Sequence, residues 1–169
     1  FNILEPLELI NSTKPGILLT FDDGFQNNYT NVLPILEKYS APGLFFITTQ
    51  HVLDPKYWLH FVKELVMKEW NNPREVPENI QNEYYDGLTK EMLIKMSNNP
   101  LVTLGSHTIT HPFLTKCTAK EIELELGNSK EYLEKITKKS IYYLAYPSGD
   151  YNSQVIEIAK KKGYLAGFG

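Results

Sequence analysis

The sequence predicts an α/β protein organised around a parallel β-sheet. Short apolar runs alternate along the chain with amphipathic segments of helical period, the strand, helix, strand order from which parallel sheets are built. The run Leu44-Phe45-Phe46-Ile47 is apolar without alternation, as a strand covered on both faces must be. Three of the apolar runs also break into polar turns carrying carboxylates, imidazoles or hydroxyls, which puts candidate chemistry at strand ends.

Taken in order, Ile17 to Phe21 is the first predicted strand, and a helix from about Thr30 to Tyr39 follows, with Pro34 tolerable only near its first turn. Pro42-Gly43 leads into a second strand over Leu44 to Thr49. Residues 51–100 read as an insertion within one domain: a helix from Tyr57 to Trp70 with Trp58, Phe61, Leu65 and Val66 on one face, a loop from Asn71 to Asp86, and a short helix capped by Thr89 that ends before Pro100. In this stretch His51 and His60 read as ordinary polar residues, and Trp58 and Trp70 as packing residues rather than sugar platforms. Leu101 to Leu104 is the next strand. Thr118-Ala119-Lys120-Glu121 is a capping box opening a long helix with Ile122, Leu126, Leu133 and Ile136 on its buried stripe. The apolar start of the segment Tyr142 to Tyr146 is a further strand, a helix from Ser153 to Lys162 stops at Gly163, and Tyr164 to Gly169 begins another strand.

Composition narrows the function classes. A chain of 169 residues, 42% of them hydrophobic, is one domain with material for a core. A net charge of −3 without strongly basic patches excludes a nucleic-acid partner, and the lysine runs at 135–139 and 160–162 read as solvated helix ends. Cys117 is the single cysteine, so no internal disulfide can form. No apolar run is long enough to span a bilayer, and a chain that begins at Phe1 says nothing about export.

The adjacent carboxylates Asp22-Asp23, followed by Gly24, are the most informative feature. Taken alone, one would cap a helix and the other would be solvated. The segment Ser106-His107-Thr108-Ile109-Thr110-His111 changes that reading, because it offers two imidazoles four positions apart after another strand. One carboxylate and two imidazoles form a three-ligand set that leaves a position for water, the arrangement of catalytic zinc sites. Pro112 argues against a helix running through His111.

These segments, with Ala145-Tyr146-Pro147-Ser148-Gly149, give the chain a resemblance to the polysaccharide deacetylase family, carbohydrate esterase family 4. Thr20-Phe21-Asp22-Asp23-Gly24 and Ser106 to His111 match its first two motifs. The third is matched in part, since Ala145 stands where the family has an arginine that steadies the catalytic aspartate. The Ala-Tyr-Pro-x-Gly form is similar to the branch acting on poly-N-acetylglucosamine and surface glycans.

The resemblance implies a distorted (β/α) barrel, incomplete at its C-terminal end because the family's later motifs, including a proposed general-acid histidine, have no counterpart before Gly169. It implies Asp22 as general base, Asp23, His107 and His111 as ligands of a divalent ion (zinc first, cobalt or manganese as alternatives), and Tyr146, Pro147 and Ser148 at the substrate, with Ser148 offering its backbone N–H to an oxyanion. The implied activity is removal of N-acetyl groups from hexosamine units of a surface or matrix glycan. The implied setting is extracellular, periplasmic or at the cell surface. An open barrel edge near Tyr164 would favour self-association. Two other classes compete: a two-histidine, one-carboxylate iron enzyme, disfavoured by the alternation of strand and helix, and a glycan-binding module with an impaired site.

Overall fold

The computed structural model describes residues 2–58 and 85–169. Predicted features between them, including His60, Trp70 and most of the Tyr57–Trp70 helix and the Asn71–Asp86 loop, lie outside the described residues. Two short strands, β1 (Asn2–Ile3) and β2 (Gly16–Ile17), flank a helix α1 (Pro6–Asn11) and pair with each other in parallel. The main sheet follows, made of β3 (Thr20–Phe21), β4 (Gly43–Ile47), β5 (Val102–Ser106), β6 (Tyr143–Ala145) and β7 (Ala166–Phe168). Its strands lie side by side in chain order, all parallel, with Phe21 opposite Phe45, Ile47 opposite Ser106, Ser106 opposite Leu144 and Ala145 opposite Phe168. Helices α2 (Leu33–Tyr39), α3 (Thr49–Leu53), α4 (Lys90–Ser97), α5 (Ala119–Thr137) and α6 (Ser153–Lys161) occupy the connections.

Pleating divides β4 between two cores. Phe45 and Ile47 join Leu93, Met96, Ile122, Leu126, Leu133, Val155 and Ile158 in the core under the helices. Leu44 and Phe46 point the other way, onto Tyr143 and Ala145, with Phe168 packed beside them. All five residues of β4 are buried, as its unbroken apolar run predicts. The sheet curls, because Thr20 at one edge and Phe168 at the other line the same pocket. Among the described residues the result is a half-barrel with its concave face open.

Local chemistry sets the boundaries. Thr118 and Glu121 form the expected capping box at the start of α5, and Asn152 caps α6 by accepting from Val155 N–H. Three expectations need correction. The first strand does not run from Ile17 to Phe21: Gly16–Ile17 is drawn to β1, and only Thr20–Phe21 pairs with β4. The helix expected from Thr30 starts as a wide π-turn over Asn28–Val32 and becomes α-helical at Leu33. Pro34 explains this, since it has no N–H to give and its ring crowds the carbonyl four residues back, at Thr30. The second strand ends at Ile47, and Thr48 becomes the cap residue of α3.

Both flanks of the 51–100 stretch are packed into the fold. His51 and Val52 are buried on α3, and Leu88, Leu93 and Met96 are fully buried. His51, expected among ordinary polar residues, has no exposed surface. Trp58 is buried too, as a packing residue should be.

Candidate metal centre and active site

The first element of the site is the turn that ends β3. Asp23 and Gly24 both adopt left-handed backbone, φ 71° and 76°, and Gly24 N–H donates to the Asp22 carbonyl at 2.9 Å. Glycine suits the second of these positions because left-handed backbone is unstrained there. Asp23 accepts the conformation at a cost that neighbouring bonds must offset. Those bonds come from far along the chain: Leu88 N–H donates to the Gly24 carbonyl at 2.9 Å and Gln26 N–H to the Asp86 carbonyl at 2.7 Å.

The second element is the turn after β5. His107 N–H continues the ladder to Ile47 at 2.9 Å, and the chain then passes through Thr108 and His111, both left-handed at φ 66° and 57°. No helix runs through His111, in keeping with Pro112. Hydroxyls brace the turn: Thr108 N–H donates to Ser106 Oγ, His111 N–H to Thr108 Oγ1, and Ser106 and Ser129 share a hydrogen bond of 2.8 Å. Glu125 on α5 accepts from Ile109 N–H at 2.7 Å, Thr110 N–H at 3.0 Å and the Thr110 hydroxyl at 2.7 Å. Bonds to a carboxylate are the stronger kind.

The two turns bring Asp23, His107 and His111 together. Their ligand atoms all lie within 4.8 Å of one another, with Asp23 Oδ1 3.5 Å from His107 Nε2 and 3.7 Å from His111 Nε2. These are not ion pairs. Burial pushes both imidazoles down to about 4, helped at His111 by its neighbour His107, so both are uncharged near neutral pH. His107 Nδ1–H donates to the Ala145 carbonyl at 2.9 Å, which fixes the tautomer and leaves Nε2 with a bare lone pair towards Asp23. Asp23 Oδ1 is buried and, among the described residues, has no hydrogen-bond partner.

An orphaned carboxylate oxygen facing two neutral imidazoles fits a small divalent cation. Without one, burial and then the charge of Asp22 hold the Asp23 carboxyl up at about 7. The donor set of two imidazoles and one carboxylate suits zinc, and its spacing is close to that of ligands bonded at about 2.0–2.2 Å to one ion.

Asp22 is not one of the three clustered ligands, although its charge acts on Asp23 and His111. It lines a pocket of about 280 Å³ on the concave face with Thr20, Phe46, Tyr146, Ser148 and Phe168. Two of the three expected substrate residues, Tyr146 and Ser148, thus share a pocket with Asp22, while Pro147 is buried in the turn behind them. Ser148 and Gly149 are left-handed at φ 56° and 64°, which turns the loop back over the sheet. Burial raises the Asp22 carboxyl, with His111 opposing the shift. Among the described residues no basic side chain forms an ion pair with Asp22.

Two residues that serve the site carry no motif. Glu125 reads in the sequence as one more acid on a helix, yet it sits next to Leu126 and one turn after Ile122, at the border of the buried stripe, where a carboxylate needs partners. His51 stands behind the acidic turn, its ring nitrogens 3.2 Å from the Asp23 carbonyl and 3.0 Å from that of Tyr85. Trp58 completes this wall, with its ring centroid 4.9 Å from that of His111.

An open parallel half-barrel with an Asp-His-His cluster at the carboxyl ends of its strands defines the class: an incomplete (β/α) barrel of the NodB-like kind. The chain belongs to the polysaccharide deacetylase family, whose sequence profile matches residues 10–167. It is 31% identical over 160 residues to the peptidoglycan-N-acetylmuramic acid deacetylase PdaA of Bacillus subtilis, a match covering 94% of this chain and 48% of that protein. It is 30% identical over 155 residues to a poly-beta-1,6-N-acetyl-D-glucosamine N-deacetylase of Staphylococcus aureus, covering 92% and 48%. The solved structure of the Streptococcus pyogenes deacetylase PplD in complex with acetate superposes with a TM-score of 0.71 at 26% identity, over 95% of this chain and 62% of that one. The chain therefore spans about half the length of these curated relatives.

Proposed function

We propose that this chain carries the active site of a metal-dependent hydrolase that removes N-acetyl groups from N-acetylhexosamine units of a polysaccharide. The convergence of Asp23, His107 and His111 beside a pocket that contains Asp22 is the observation that carries the reading. Family membership and the two deacetylases named above support it.

Asp23, His107 and His111 would hold the ion, with zinc the first choice and cobalt or manganese as alternatives. A divalent ion held there supplies a Lewis acid for the acetamide carbonyl and lowers the pKa of a nearby water. Asp22 is the base that takes the proton from the attacking water, and its burial, which raises the carboxyl, moves it towards the neutral range where a general base works best. The water oxygen bonds to the acetamide carbon and the carbonyl electrons move onto oxygen. These electrons then return, the C–N bond breaks, and the amine leaves with the proton that Asp22 took, the released acetic acid ionising to acetate. Ser148 presents its N–H for the oxyanion and Tyr146 forms the adjoining wall. Walls from Phe46 and Phe168 give the pocket an apolar side suited to a methyl group.

Metal analysis combined with acetate release from N-acetylglucosamine oligomers tests the proposal. Stoichiometric metal with acetate release supports it, and tight oligomer binding without acetate would favour the glycan-binding alternative, which draws on the absence of a basic side chain at Ala145.

A further inference from the structure

Of the histidines among the described residues, His51 is the one that the chemistry above leaves without a task. Its side chain is fully buried, although a histidine in a purely apolar setting would be a poor choice for filling space. One ring nitrogen, Nδ1, lies 3.2 Å from the carbonyl of Asp23 itself, and Nε2 lies 3.0 Å from the carbonyl of Tyr85. The ring is held edge-on by Phe25 at 5.2 Å and Trp58 at 6.1 Å between centroids. Gly87 lies against it so closely that any side chain there would strike the His51 ring and carbonyl.

The helix that carries His51 also reaches the other turn. Thr49 N–H donates to the Thr108 carbonyl at 3.1 Å and Gln50 N–H to the Ile109 carbonyl at 3.0 Å, both between His107 and His111. The hydroxyl of Tyr57 adds a bond of 2.8 Å to the Thr110 carbonyl. Helix α3 is therefore bonded through its first amides to the histidine turn and through the His51 ring to the acidic turn. No other described helix bonds to both.

We propose that His51 is a positioning residue of the metal centre: its ring, closing on the Asp23 carbonyl, fixes the separation at which the Asp23 carboxylate faces the two imidazoles. The proposal rests on the reading of Asp23, His107 and His111 as ligands. Asp23 adopts left-handed backbone, and the neutral His51 ring, which has a single N–H, is taken in the tautomer whose Nδ1–H donates to the Asp23 carbonyl and so restrains the peptide plane that directs the Asp23 side chain. Groups that orient ligands in this way typically carry a 10- to 100-fold share of metal affinity.

Cobalt(II) titration of the purified chain, read by calorimetry and by the visible bands of the bound ion, tests the idea. His51→Phe keeps the ring's bulk and removes its hydrogen bonds, and its cobalt Kd should rise about 10- to 100-fold with altered bands. His51→Gln, which retains an N–H donor, should recover most of the affinity. Ile122→Val, a core change that removes no hydrogen bond of either turn, should lower Tm and leave cobalt binding at the wild-type level. A folded His51→Phe variant with wild-type affinity and bands would overturn the assignment, and so would an equal loss in Ile122→Val. Should His51→Phe fail to fold, ring ¹⁵N spectra of the unaltered protein decide. The His51 resonances should move on adding one equivalent of zinc, and invariance would refute the link. A wild-type chain that binds no cobalt or zinc would instead remove the metal reading itself, and this proposal with it.

Discussion

The two turns that carry the proposed metal ligands are held in different ways. The histidine turn is braced by side chains of its own neighbourhood, with Ser106 and Thr108 inside it and Glu125 and Ser129 on the helix that follows β5. The acidic turn is only three residues, Asp22-Asp23-Gly24, and it is held by partners from distant segments, the main chain of residues 86–88 and the ring of His51. The histidine turn thus has side-chain braces of its own strand-helix unit in addition to the remote bonds from α3 and Tyr57, while the acidic turn draws its braces from remote pieces of chain.

That contrast can be tested by substitution, beginning with the ligands themselves. His107→Ala or His111→Ala should abolish stoichiometric metal binding, as judged by metal content after gel filtration. Unchanged content in both variants would show that the cluster is not the site. Asp22→Asn should lower acetate release by about 10² to 10⁴ with metal retained, whereas Asp23→Asn should lose metal first. Loss of metal in Asp22→Asn with retention in Asp23→Asn would exchange their roles.

Glu125→Gln comes next, since an uncharged amide oxygen accepts more weakly from the two N–H groups and the Thr110 hydroxyl must turn to accept from the NH₂. A fall in metal affinity of about 10- to 100-fold is expected. Equal affinity in a competition assay would mean that the histidine turn keeps its shape without this brace.

Acidity should act mainly through the acidic turn. In the metal-free protein Asp23 stays protonated up to about pH 7, while His107 and His111, with values of about 4, remain neutral. A raised carboxyl holds a proton that the metal must displace, so affinity should fall by about tenfold per unit as pH drops below 7 and level off above it. Calorimetry at pH 6 in buffers of different ionisation enthalpy should report release of one proton on zinc binding. Release of two or more would place the proton competition on the imidazoles.

The smallest effect is expected at Ser129→Ala, which leaves the Ser106 hydroxyl without its buried partner. A loss of about 0.5–1.5 kcal/mol in urea unfolding is anticipated, with metal content unchanged.

The candidate site was more legible in the sequence than its supports. Asp22, Asp23, His107 and His111 announce themselves because polar residues of special chemistry follow apolar runs, and the helix caps at Thr118 and Thr89 follow from local rules. The strand run Ile17 to Phe21 misled, because its first residues pair with Asn2–Ile3, a partner that no periodicity within the run can disclose. His51 was hidden for a related reason: its partners are main-chain carbonyls, which every residue possesses and which leave no trace in side-chain pattern. Glu125 left a faint one, an acid at the border between the buried and solvated faces of α5.

The bond from His107 Nδ1 to the Ala145 carbonyl has an evolutionary meaning as well as a geometric one. Every amino acid presents the same carbonyl, so the tautomer of His107 is insulated from drift at position 145, and the side chain there can be exchanged without disturbing the ligand set. The family's arginine and this chain's alanine are then interchangeable as far as that imidazole is concerned. Glu125 has no such protection, because a single codon change removes its carboxylate.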